Sequence, residues 1–190
     1  MKLVFATHNQ NKFKEVASMI PKHIELLSLK DIGCTEDIEE TSDTIEGNAL
    51  LKAKYVKENY QIDCFADDTG LEVTSLNGEP GVYSARYAGP DNEADANMSK
   101  LLSNLKAISN REAQFKTAIA LTMHNSETLF FGICEGEITQ SQQGDSGFGY
   151  DPIFKPNGFD KTFAEMTLAE KAEIGHRGKA MRKLINYLSE

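Results

Sequence analysis

Short apolar runs alternate with amphipathic segments along this chain. Leu3-Val4-Phe5-Ala6 predicts a buried strand; after the polar turn Thr7 to Asn11, Phe13, Val16, Ala17 and Ile20 recur at helical spacing. Thr44 suits the N-cap of a helix reaching about Asn59, with Ile45, Ala49, Ala53, Val56 and Tyr60 on one face. Cys64-Phe65-Ala66 reads as the end of a buried strand, and Asp67-Asp68-Thr69-Gly70 as the turn beyond it. Leu71, Val73 and Leu76 alternate toward the hairpin signal Asn77-Gly78, and Val82 to Tyr87 returns as strand or loop. Ala94, Met98, Leu101, Leu102 and Leu105 mark an amphipathic helix from about Asn92. Phe115 to Met123 and Leu129 to Ile138 predict two strands joined near Asn125-Ser126, in a sheet covered on one face. Thr167-Leu168-Ala169-Glu170 is a capping box for a short helix, and Ala180, Met181, Leu184, Ile185 and Leu188 form the core face of a final one. Strands and helices in this alternation predict an α/β protein.

Composition narrows the class. A chain of 190 residues, 40% of them hydrophobic, is long enough to bury a core as a single domain, 1–190. Acidic residues outnumber basic ones by 29 to 20, and the charge of −9 repels nucleic acid polymers and anionic membranes, so neither is expected as a partner. Cys34, Cys64 and Cys134 show neither zinc spacing nor a disulfide framework, which suits a reducing cytoplasm. The run Leu3 to Ala6 is far too short for a signal peptide or membrane span.

Some residues fit this pattern poorly, and they suggest chemistry. Two adjacent carboxylates, Asp67 and Asp68, where a core strand stops need a cation or hydrogen-bond network to balance them. Ligands of open α/β sheets gather beyond such strand ends, so a metal and general-base site competes with a solvated turn. Lys12 stands in the first turn of its helix, where the dipole disfavours a positive charge and an anion would resolve the conflict. The alternative there is an ordinary turn capped by Asn9 or Asn11. Lys52 falls within the apolar stripe of its helix and must snorkel or meet an anion. From Gly144 to Pro152, glycines interleave with Phe148 and Tyr150, flat faces on which a base could stack. Glu39 and Glu40, in the acidic run from Glu36, add carboxylates; Lys171, Asp151, His176 and Arg177 add donors and acceptors.

With these parts assembled, the chain resembles the inosine/xanthosine triphosphate pyrophosphatase family nearly end to end. The likeness rests on six blocks: Phe5 to Lys12, Glu40 with Glu46 to Ala53, Ala66 to Leu71, Pro80 to Tyr87, Gly147 to Phe154 and His176 to Ala180. It implies a central mixed β-sheet flanked by helices, in two lobes with the active-site cleft between them, in a homodimer. It implies Mg²⁺-dependent hydrolysis of ITP, dITP and XTP to the monophosphate and pyrophosphate. By matching positions, Asp68 would accept the proton of the attacking water and touch the metal, with Glu40 a second metal ligand. Thr7, His8, Asn9, Gln10, Asn11, Lys12, Lys52 and Lys171 would hold the triphosphate, and Thr69 would contact substrate. Phe148 and Gly149 would lie against the base, with Tyr150, Asp151, His176 and Arg177 around its edges. A donor such as Arg177 facing the 6-oxo group would oppose adenine's amino group, a mismatch that rejects by factors of about 10⁴. His8 and Asn11 stand where many relatives have glycine, and Gly175 where they often have serine.

Two other functions compete. A phosphatase with an aspartyl nucleophile wants Asp-x-Asp-x-Thr, whereas Asp67, Asp68 and Thr69 are contiguous. A nucleotide sensor would share every binding group, and only turnover separates it from an enzyme.

Overall fold

The computed structural model describes residues 1–124 and 126–189. There, β1 (Lys2–Phe5), α1 (Gln10–Ala17), β2 (Glu25–Ser28), α2 (Ile45–Tyr60), β3 (Cys64–Val73) and β4 (Pro80–Gly81) are followed by α3 (Ala94–Asn104). Then come β5 (Glu112–Met123), β6 (Ser126–Ile138), β7 (Phe154–Pro156), α4 (Leu168–Ile174) and α5 (His176–Leu188). The strands form a mixed sheet in the order β2-β1-β3-β5-β6-β7, with β4 on β3. β1 is parallel to both β2 and β3, while β4 on β3 and β7 on β6 are antiparallel. This is the α/β, mixed-sheet class expected.

The chain divides into two compact units. The first comprises Met1–Asp68, Thr117–Gly132 and the chain from Arg177 on; the second comprises Thr69–Lys116 and Ile133–His176.

In the first unit the sheet is buried on both faces, and strand alternation sorts the side chains by size. Val4, Ala6, Cys64, Ala66, Ala118 and Ala120 face α2, which answers with Ala49, Ala53 and Val56. Leu3, Phe5, Phe65, Ile119 and Leu121 face the other way, against Val16 of α1 and Ala180, Met181 and Leu184 of α5. Small residues on one face let α2 lie close, and the Cys64 thiol reaches the Ala53 carbonyl at 3.1 Å. Ala120→Leu should therefore cost about 1–3 kcal/mol by overpacking, while Leu121→Met on the roomier face costs less than about 1.5. Urea denaturation of the two variants compares them.

The second unit has one core. Leu71 and Val73 of β3, Met98 and Leu101 of α3, Phe115 of β5, Ile138 of β6 and Phe154 of β7 meet in it.

Some sequence expectations need correction. β3 continues through Asp67 to Gly70 and ends at Val73; the supposed turn is strand, because cationic and amide partners neutralise the aspartates inside it. α1 ends at Ala17, before Ile20, and Ala17 is exposed while Glu15 is buried. Thr117 to Leu121 of β5 is buried on both faces, since helices cover both. Leu76 and Ser84–Arg86 form single helical turns rather than strand. Asn125, at the expected turn, lies outside the described residues.

Candidate active site

β3 carries the two aspartates, and the pleat sends neighbours to opposite faces. Asp67 follows Phe65 toward α1 and α5; Asp68 follows Ala66 toward α2. The first unit thus builds two different environments from one dipeptide.

On the α1/α5 face, Lys12 Nζ donates to Asp67 Oδ1 at 3.1 Å and Arg177 Nε donates to Oδ2 at 2.9 Å. Arg177 Nη1 also donates to Glu15 Oε2 at 2.5 Å. Asp67 and Arg177 are almost wholly buried. Burial pushes the Asp67 carboxyl up, but the charges of Lys12, Arg177 and Lys52 outweigh it and hold the group well below the usual carboxylate range. Asp67 is a fixed anion that anchors two cations.

The α2 face differs. Lys52, in the apolar stripe as the sequence indicates, is buried and pairs with Glu40, and its Nζ lies 3.9 Å from Asp68 Oδ1. Asn48, one helical turn earlier and fully buried, donates from Nδ2 to Asp68 Oδ2 at 3.3 Å. Burial raises the Asp68 carboxyl, and the Glu40 and Asp67 carboxylates add to this against Lys52 and Lys12. Burial opposes the charge of Lys52, yet Asp68, Glu40 and Asp67 outweigh it and its pKa is raised. The two aspartates are therefore not equivalent: Asp67 is settled as an anion, and Asp68 is the one nearer to exchanging a proton.

The turn ahead of α1 is capped. Asn9 Oδ1 accepts from the amides of Asn11 at 3.0 Å and Lys12 at 3.1 Å, and Thr7 Oγ1 accepts from the Asn9 amide at 3.1 Å. The dipole conflict of Lys12 is met by Asp67 across the fold. His8 Nε2 donates to the Glu36 carbonyl at 2.9 Å, and Gln10 and Asn11 are exposed on the first turn.

The second unit gathers the other candidates. Thr69, half-buried on β3, begins it. Asp151 Oδ2 accepts from the Phe148 amide at 2.8 Å and from Lys171 Nζ at 2.6 Å. The Lys171 ammonium lies 4.7 Å over the Phe148 ring and 5.5 Å from that of Phe163, a cation–π arrangement. Gly147, at φ 78°, makes this turn possible: a Cβ there would collide with the Asp151 carboxylate. Phe148 is half-buried beside Gly149, whereas Tyr150 is buried and its hydroxyl donates to the Ser84 carbonyl at 2.7 Å. His176, at the start of α5, stacks on Phe115 with centroids 4.5 Å apart. Its neighbour Arg177 belongs to the first unit and to Asp67.

The blocks that build these two groups also identify the chain's relatives. A model of the Ham1 family matches residues 3–187. The chain belongs to the Ham1 family. A curated relative named dITP/XTP pyrophosphatase, from Christiangramia forsetii, is 63% identical over 190 residues, covering 100% of both chains. One of the same name from Bacillus subtilis is 45% identical, covering 97% of this chain and 96% of its own. The solved Ham1 protein of Staphylococcus aureus is 38% identical with a TM-score of 0.90, covering 100% of this chain and 98% of its own.

Glu15 and Asn48 are absent from the residues that the sequence singled out. Glu15 follows Lys12 by three positions and Asn48 precedes Lys52 by four, so each shares a helix face with a suspected lysine. That spacing was the available signal.

Proposed function

We propose that this Ham1 protein hydrolyses non-standard purine nucleoside triphosphates, ITP, dITP and XTP, to the monophosphate and pyrophosphate by attack of water on the α-phosphorus. The substrate class is supported by full-length relatives named dITP/XTP pyrophosphatase. The chemistry is supported by one observation above all: β3 turns Asp67 to one face, where Lys12 and Arg177 pin it, and Asp68 to the other, beside Asn48 and Lys52 with its partner Glu40.

Asp68 accepts the proton of the attacking water, and Asn48 and Lys52 orient its carboxylate. Lys12, Lys52 and the turn from Thr7 take the phosphates. Lys171, Phe148 and Gly149 also serve the substrate, with Phe148 offering a ring for the base. Thr69, Tyr150, Asp151 and His176 complete the contacts. Arg177 reaches the base edge only while also serving Asp67 and Glu15.

The metal reading fits the donors. Asp68 and Glu40 are oxygen ligands around one ammonium, and Asp68 is raised partly by its acidic neighbours, so added positive charge relieves the site. Among the described residues no three His, Cys, Asp or Glu side chains converge. A pair of carboxylates completed by substrate phosphates is the usual manner of Mg²⁺, not of structural zinc. Bound by Asp68 and Glu40, Mg²⁺ would neutralise charge on the phosphates.

No described helix is long and apolar enough to cross a membrane. The acidic composition favours small molecules over nucleic acid polymers, the three cysteines without disulfide spacing suit the cytoplasm, and the family resemblance adds a homodimer to the proposal.

Turnover of ITP in oxygen-18 water tests the site of attack. The label is expected in the inosine monophosphate; label in pyrophosphate or orthophosphate would refute attack at the α-phosphorus.

A further inference from the structure

The segment that carries Glu40 has no regular secondary structure, yet α2 holds it at successive points. The Tyr60 hydroxyl, at the end of α2, donates to Glu36 Oε2 at 3.0 Å. Lys52, about two turns back, pairs with Glu40. Asn48 Oδ1, a further turn back, accepts from the Ser42 amide at 2.9 Å. As the segment advances from 36 to 40 to 42, its partners retreat from 60 to 52 to 48. The segment is thus a strap running antiparallel along the helix.

The far end of the strap is fastened again at Glu36. Its carboxylate also accepts from the Thr35 amide at 3.0 Å, and its carbonyl accepts from His8 Nε2 at 2.9 Å. The buried Cys34 thiol lies close to both Tyr60 and Glu36. His8 therefore joins the strap to the turn ahead of α1.

We infer that Tyr60 and Glu36, with His8, are positioning residues that hold the strap so that Glu40 stands ready beside Asp68. Tyr60 touches neither substrate nor metal in this reading; it acts through Glu36 on the backbone leading to Glu40. Loss of this tie leaves Lys52 to hold Glu40 by its side chain while the backbone from 37 to 41 loosens. The inference rests on the proposal that Glu40 is a metal ligand.

Tyr60→Phe removes the hydroxyl and keeps the ring. Hydrogen exchange in the metal-free protein should quicken at residues 37–41 by roughly 3- to 10-fold, the loss of one hydrogen bond to a charged group near the surface, with β1 and α5 unchanged. The Mg²⁺ concentration for half-maximal ITP hydrolysis should rise by a similar factor, with kcat at saturating Mg²⁺ within about twofold of the parent. Glu36→Gln, which retains an acceptor for Tyr60, should recover most of the effect seen in Glu36→Ala. Unchanged exchange, or an unchanged Mg²⁺ dependence in Tyr60→Phe while Glu40→Gln shifts it, would overturn the inference. Should Glu40→Gln itself leave the Mg²⁺ dependence unaltered, the metal role of Glu40 fails, and the inference with it.

Discussion

Asp68→Asn is expected to lower kcat for ITP by between about 10² and 10⁴-fold, the range for removing a positioned general base, with KM little changed. The substitution keeps the shape of the side chain and an oxygen to accept from Asn48, so the binding groups stay in place. Stability should not fall. Burial and the neighbouring carboxylates already disfavour the charge on Asp68, and a neutral amide removes that burden, so the melting temperature should match or exceed the parent. A variant that loses rate and stability together would point to a structural role; one that keeps near-parental kcat would remove Asp68 from proton transfer.

Arg177→Met should act in the opposite way, through stability first. Removing the guanidinium leaves Asp67 and Glu15 buried without one of their cations, a change that costs about 3–5 kcal/mol where a buried pair loses one partner. For a chain of this size the melting temperature should drop by roughly 10 °C. Adding Glu15→Gln removes one of the stranded charges, and the double variant should recover part of the loss in a double-mutant cycle. Strict additivity of the two changes would show that Glu15 and Arg177 do not interact.

Much of this arrangement was legible from local pattern. Thr44 caps α2, which ends one residue beyond the expected Asn59, and Thr167 and Glu170 form their capping box. In each case the determining groups lie within a few residues of one another, where sequence spacing is itself geometry. Lys52 stood out for the same reason: a lysine in an apolar stripe must snorkel or meet an anion, and it meets Glu40 and Asp68.

The misreadings have the opposite cause. Asp67 to Gly70 looks like a turn because aspartate and glycine are turn residues, but side chains far away in sequence make it strand. Asp67 is met by Lys12 and Arg177, which lie 55 and 110 positions from it. No local rule supplies those partners. A like distance hid the pairing of Glu15 with Arg177, 162 positions away, which the spacing to Lys12 alone does not reveal. The inequality of Asp67 and Asp68 likewise arises from the pleat together with what covers each face, and the second of these is tertiary information. Nor does any local rule show that Arg177, expected at the edge of a base, also pairs with Asp67 and Glu15.

The central claim concerns which anhydride is cut and in which nucleotides. Purified protein incubated with ITP, dITP, XTP, ATP and GTP, with and without Mg²⁺, and assayed separately for pyrophosphate and orthophosphate, tests it most directly. The account predicts Mg²⁺-dependent pyrophosphate from ITP, dITP and XTP, with kcat/KM for ATP lower by orders of magnitude. Orthophosphate with the diphosphate as product, equal rates for ATP and ITP, or tight ITP binding without turnover would contradict it.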